Sequence, residues 1–259
     1  MKSLRLRDGI RFALSLIAFG ILASIPASAS LSFCSTPGCV SANDSIVWSQ
    51  LGGDSTAVAN NTSVISGGGD NGLIAFGTSP NDGEVVDVGT SWTPVPPTGF
   101  SSGDALLWAF DNGTGAGTGP ITLTLTSAVN GAGLWIQGDL PIPVGGGSCA
   151  NCTFTAQIAF YNGASLLGTY SVTSDPAGDP VFVGAINSPL TPIINELVIS
   201  LTSCGQCNGS TGDVNDFAVD ALLLNANTAG TPEPSALLLT AGGLAACAWR
   251  IRKQNRKQI

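Results

Sequence analysis

Histidine is absent from the 259 residues, methionine occurs once and tyrosine twice. Without histidine, neither a Ser-His-Asp nor a Cys-His catalytic arrangement is available. Basic residues are almost as restricted. Lys2, Arg5, Arg7 and Arg11 open the chain, Arg250, Arg252, Lys253, Arg256 and Lys257 close it, and residues 12 to 249 hold no Lys or Arg. The interior therefore offers no lysine for a Schiff base and no cation to clamp an oxyanion. It also lacks the positive surface that phosphate backbones require, which excludes nucleic acid as a partner. Acid has the opposite distribution, with fifteen Asp and Glu between Ser30 and Gly230. A carboxylate pair for glycoside hydrolysis is formally available, with Glu84 and Glu196 the only glutamates of this stretch. No spacing singles out such a pair, so a non-catalytic protein is expected.

Both basic ends adjoin an apolar run. At the front, the run from Phe12 to Ile25 leads into Pro26-Ala27-Ser28-Ala29-Ser30. A positive start, a short apolar segment and a small-x-small site make residues 1–29 a secretory signal peptide, cleaved after Ala29. The run is shorter than the roughly 20 apolar residues of a spanning helix. Arg5-Leu6-Arg7 is not a twin-arginine pair, which favours general secretion, and the bulky Phe33 before Cys34 argues against a lipoprotein site. At the back, residues 228–259 contain Pro232-Glu233-Pro234, the apolar stretch Ala236 to Trp249, and the basic cluster. The prolines stiffen an extended spacer. The apolar stretch is a short transmembrane helix candidate whose trailing positive charges hold that end in the cytoplasm.

The order Pro-Glu-Pro, short apolar helix, basic tail resembles the PEP-CTERM sorting signal of bacterial exopolysaccharide-associated proteins. Thr231 stands where family members often carry Val. The resemblance implies an exosortase-type transpeptidase as partner, acting at Pro232, Glu233 and Pro234 while the membrane holds the helix. It implies delivery to the cell envelope, cell surface or extracellular matrix.

Residues 30–227 amount to one large domain. Helix signals are scarce, and short alternating segments separated by turn residues recur. Strands are expected at 45–51, 72–78, 84–88, 105–110, 121–127, 134–138, 153–161, 165–173, 181–186, 193–202 and 217–224. Ile121, Leu123 and Leu125 alternate with Thr122, Thr124 and Thr126, the pattern of a sheet with one buried and one wet face. Asn162-Gly163 supplies a hairpin turn. The fold class read from this is all-β, an antiparallel β-sandwich or jelly roll. The segments Gly119-Pro120-Ile121-Thr122-Leu123-Thr124 and Asn215-Asp216-Phe217-Ala218-Val219-Asp220 resemble β-sandwich modules, often carbohydrate-binding or galactose-binding-like, that accompany such sorting signals. That likeness implies a fold more than a ligand.

Six cysteines outside the tail form three close pairs: Cys34 with Cys39, Cys149 with Cys152, and Cys204 with Cys207. Alternating strands bring the two C-x-x-C loops to the same end of the sandwich. Three arrangements follow: local disulfides, disulfides joining the two loops, or a four-thiolate zinc site. Export favours the disulfides. Calcium is the metal best suited to an all-anionic domain, and Asp213, Asn215, Asp216 and Asp220 form one candidate cluster. Asn81-Asp82-Gly83-Glu84 with Asp87 forms another. For a glycan ligand, Trp48, Trp92, Trp108 and Trp135 are available to stack on sugar, although a buried core position is the commoner fate of each; Trp92, within the loop Ser91-Trp92-Thr93-Pro94-Val95-Pro96-Pro97, is the best candidate for exposure.

Overall fold

The computed structural model describes residues 30–77, 83–93, 99–110, 117–140, 152–188, 191–207 and 213–226. The signal-peptide segment, the Pro-Glu-Pro motif, the tail helix and Cys149 lie outside the described residues. What is described is all-β. Fifteen strands and a four-residue helix, α1 (Pro37–Val40), follow one another along the chain.

The first sheet runs in the order β1 (Ser30–Cys34), β12 (Val181–Ser188), β9 (Gly131–Gly138), β14 (Phe217–Val219), β7 (Ala105–Trp108), β6 (Gly83–Asp87), β3 (Thr56–Val58). To it are added β15 (Leu222–Asn225), on β9, and β2 (Asp44–Ile46), on β15. The second sheet runs β11 (Ser165–Thr173), β10 (Phe154–Asn162), β13 (Ile194–Cys204), β8 (Ile121–Val129), β5 (Asn71–Phe76), β4 (Thr62–Ile65). The registered pairs are antiparallel.

Alternation explains which face each strand buries. Along β8, Ile121, Leu123 and Leu125 are buried, and Thr124 and Thr126 are exposed. Along β10, Phe154, Ala156, Ile158 and Phe160 are buried in the same rhythm. Those residues meet Leu134, Ile136, Val183, Val219 and Leu222 of the first sheet in one continuous core. Each fully buried Leu, Ile or Phe contributes about 1.5–3 kcal/mol of transfer free energy. Two sheets sharing one apolar interior make a β-sandwich, the expected class.

Several expected elements differ in detail. The run 45–51 splits into β2 and a 3-10 turn at Trp48–Leu51, because Trp48 is drawn into the core and its Nε1 donates to the Asp220 carbonyl at 2.9 Å. The run 217–224 breaks at Asp220-Ala221 into β14 and β15. Asp220 still follows the β14–β9 register, its N–H donating to the Trp135 carbonyl, and pairing along β9 resumes one residue out of step at Leu223 opposite Gly133. Strands β1, β3 and β4 lie outside the expected runs. In the β10–β11 hairpin the central pair is Gly163-Ala164, with Asn162 paired to Ser165 and Gly163 at φ 55°. A glycine leads the turn because its first central residue needs positive φ.

Candidate functional site

Cleft geometry follows from the ends of the first sheet. Asp87 closes β6 and faces Ala105, the first residue of β7. The ladder continues past them: Val88 N donates to the Asp104 carbonyl at 2.9 Å and Gly103 N to the Val88 carbonyl at 2.8 Å. Gly103 adopts φ 88° to make that return. Asp104 folds back on its own turn, its Oδ2 accepting from Ser101 N at 2.6 Å. On the adjacent link between β14 and β15 sits Asp220, and the 3-10 turn supplies Trp48 and Ser49. Trp48, Ser49, Asp87, Gly103, Asp104 and Asp220 line an open cleft of about 770 Å³.

Three carboxylates thus share one concavity with no cation among its lining residues. Burial, reinforced by the negative charge of Asp104, pushes the Asp220 carboxyl up to about 6, although the Ala221 N–H bonded to it at 2.6 Å acts the other way. Just behind the rim, Asp54 holds the β6 end in place, accepting from Asp87 N at 2.8 Å and from Ser91 Oγ at 2.6 Å. Chemically the cleft offers acceptors, some backbone donors and one carboxyl that protonates in mildly acid solution. Along the sequence Asp87 and Asp220 belong to two separate clusters and Asp104 to neither. The missed signal was an Asp at each end of neighbouring strands.

The calcium cluster expected at Asp213, Asn215, Asp216 and Asp220 does not assemble. Asp216 and Asp220 lie on either side of the three-residue strand β14, about 13 Å apart at strand rise. Asp216 is fully buried, its Oδ1 accepting from Trp108 Nε1 at 2.7 Å. Asp213 is spent on backbone, accepting from Gly117 N at 2.6 Å and Asn215 N at 2.8 Å. These carboxylates pin the loop before β14 to its neighbours. Among the described residues no group of three or more acidic, Cys or His side chains is placed to hold a metal ion. Of the second cluster, Asn81 and Asp82 lie outside the described residues.

Trp92 overturns the expectation of an exposed ring. It is 5% exposed and packs with Val86, Val88, Phe100, Leu106 and Ala218. Its Nε1 donates to Gln137 Oε1 at 2.9 Å, and its ring meets Trp108 edge-on at 5.8 Å. Polar neighbours and prolines suggested a loop; a tight reversal, with Gly89 N donating to the Trp92 carbonyl at 2.9 Å, instead turns the ring inward. Its faces are closed to a sugar.

The cysteines choose local pairing where both partners are described. Cys34 bonds Cys39 and Cys204 bonds Cys207. The described end of the first C-x-x-C lies beside the second, since Phe154 pairs with Cys204 and Gly205 N donates to the Thr153 carbonyl at 2.9 Å. The Cys204–Cys207 bond rules out both a cross-loop disulfide through these sulfurs and a four-thiolate zinc site. Cys152 is buried and likewise disulfide-bonded.

No protein-family model matches the chain, and no curated protein does. Among solved structures, a DUF4465 family protein from Bacteroides caccae aligns with 70% of this chain and 99% of its own length, at 12% identity and a TM-score of 0.39.

Proposed function

We propose that this chain is an exported, non-catalytic component of the bacterial cell envelope or extracellular matrix, associated with exopolysaccharide and sorted by an exosortase-type transpeptidase. The observation that carries the reading is the segregation of charge: every cation sits beside a terminal apolar run, and the body between them is purely acidic. Such ends are those of a signal peptide and a carboxy-terminal sorting segment. Disulfides at Cys34–Cys39 and Cys204–Cys207 agree with an oxidising compartment. Fractionation of cells with and without the transpeptidase tests it. The protein should leave the inner membrane for the surface or matrix only when the enzyme is present; unchanged partition would leave a plain membrane anchor.

A second reading, a surface module that binds a glycan, draws on the cleft of Asp87, Asp104 and Asp220 rather than on Trp92. Carboxylates that accept hydrogen bonds from hydroxyls, set in an open concavity, suit a neutral sugar better than an anionic one. Retention on neutral polysaccharide that is lost in Asp87→Asn/Asp104→Asn supports it, and equal retention of the two proteins removes it.

A further inference from the structure

Sheet edges are templates for pairing with another strand, and soluble proteins guard them with charge, proline, short length or a covering group. Most edges of this sandwich are guarded. Strand β3 has three residues and begins two residues after Asp54. Strand β4 has four, and the Gln50 amide covers its end like a strand: Ile65 N donates to Gln50 Oε1 at 2.8 Å and Gln50 Nε2 donates to the Ile65 carbonyl at 3.0 Å. Strand β2 has three residues and starts at Asp44. On β1, which has five residues, the Cys34–Cys39 bond ties the strand's end to the turn of α1.

Strand β11 is guarded by neither charge, proline nor short length. It is nine residues long, Ser-Leu-Leu-Gly-Thr-Tyr-Ser-Val-Thr, without charge or proline. It ends the second sheet, and among the described residues it is in register with β10 alone. Val172, Tyr170 and Gly168 face Ala156, Ile158 and Phe160 and turn inward, whereas Thr169, Ser171 and Thr173 are exposed. At its hairpin end Leu166 is 56% exposed, and Phe33 of β1, stacked on Tyr170 at 5.4 Å, is 41% exposed.

Charge selects the occupant. Two copies of a domain with fifteen carboxylates and no cation repel wherever acids face each other. Strands β1, β10, β11 and β12, which make this flank, contain no acid at all. The nearest carboxylates along the chain, Asp175 and Asp179, lie beyond the end of β11 on the link to β12, so two such polyanions meet along the strands themselves with less like-charge repulsion than at the acidic cleft. We infer that β11 is a self-association edge, through which two copies of this chain pair β11 to β11, antiparallel about a two-fold axis, into a continuous sheet. A two-fold makes the strand its own complement, so no second surface is needed. The inference rests on the fold and charge pattern and is independent of how the protein is sorted.

The test uses the full chain in detergent, by sedimentation and amide exchange over a range of concentrations. The unaltered protein should double in mass as concentration rises, with β11 amides exchanging roughly tenfold more slowly in the associated form. Thr169→Glu/Ser171→Glu should remain monomeric, and Thr126→Glu, on the exposed face of the internal strand β8, should associate as the unaltered chain does. A chain that stays monomeric overturns the inference, as does association that the β11 variant shares. Should that variant fail to fold, the exchange data decide: β11 protection that does not change with concentration also overturns it.

Discussion

Replacing Asp220 by Asn should stabilise the protein at neutral pH. In the fold the Asp220 carboxyl titrates at about 6, against 3.8 for the free group, because burial disfavours the ionised form and Asp104 adds repulsion. A raised folded-state value means that the native state holds the proton more tightly than the unfolded chain. Stability linked to this group is therefore greatest below about pH 4 and is lost as pH rises through 6. The difference is about two pKa units, each worth about 1.36 kcal/mol, so the full penalty at pH 7.5 is bounded at about 3 kcal/mol, and about 2 is expected. Asparagine removes the charge and keeps an oxygen for the Ala221 N–H. Urea unfolding, followed by the fluorescence of Trp48, Trp108 and Trp135, measures the effect at a series of pH values. Asp220→Asn should exceed the unaltered protein at pH 7.5, and the gap should close between pH 6 and 4. A gap of constant size across that window, or one of opposite sign at pH 7.5, would refute the reasoning.

Asp44 should behave in the opposite sense. Burial raises its carboxyl, but hydrogen bonds from Ser66 Oγ, Gly68 N and Ser45 N outweigh this and hold it below the usual value. Asp44→Asn should cost stability at neutral pH, and the loss should shrink as acid titrates the native carboxylate, as urea midpoints at pH 7 and below pH 4 will reveal. Trp92→Ala should cost about 3–5 kcal/mol, the range for deleting a buried large aromatic, with no selective effect on glycan retention; a change under about 1 kcal/mol would contradict its burial. Asn225→Leu should cost about 2–3 kcal/mol in the same assay, because Asn225 Nδ2 bonds the carbonyls of Val40 and Ser41 and its Oδ1 accepts from Asn130. Opening the short Cys204–Cys207 loop by replacing both with Ser should cost about 2 kcal/mol on chain-entropy grounds.

What was legible in the chain was set by local periodicity. Ile121 to Thr126 reads correctly because its alternation and burial agree residue by residue, and Phe154 to Tyr161 does so for the same reason. The illegible positions are those where a long-range bond overrides a local pattern. Phe217 to Leu224 follows β9 at both ends, but the register shifts by one residue at Asp220-Ala221, where the Asp220 carbonyl accepts from the Trp48 indole. Trp92 lies among turn and proline residues, and only Gln137, forty-five positions away, shows why the indole points inward. The acidic clusters failed likewise. Proximity along the sequence grouped Asp216 with Asp220, whereas sheet pairing placed Asp220 beside Asp104 and Asp87. The cysteine loops were placed at a common end by strand alternation, but nothing in spacing alone distinguished local bonds from bonds between loops.

The most direct measurement is the intact mass and non-reducing peptide map of the protein in the envelope and soluble fractions of the cell. The envelope fraction should hold a chain that begins at Ser30, with Cys34 bonded to Cys39 and Cys204 to Cys207. A product retaining residues 1–29, soluble inside the cell with those four sulfurs reduced, would contradict export.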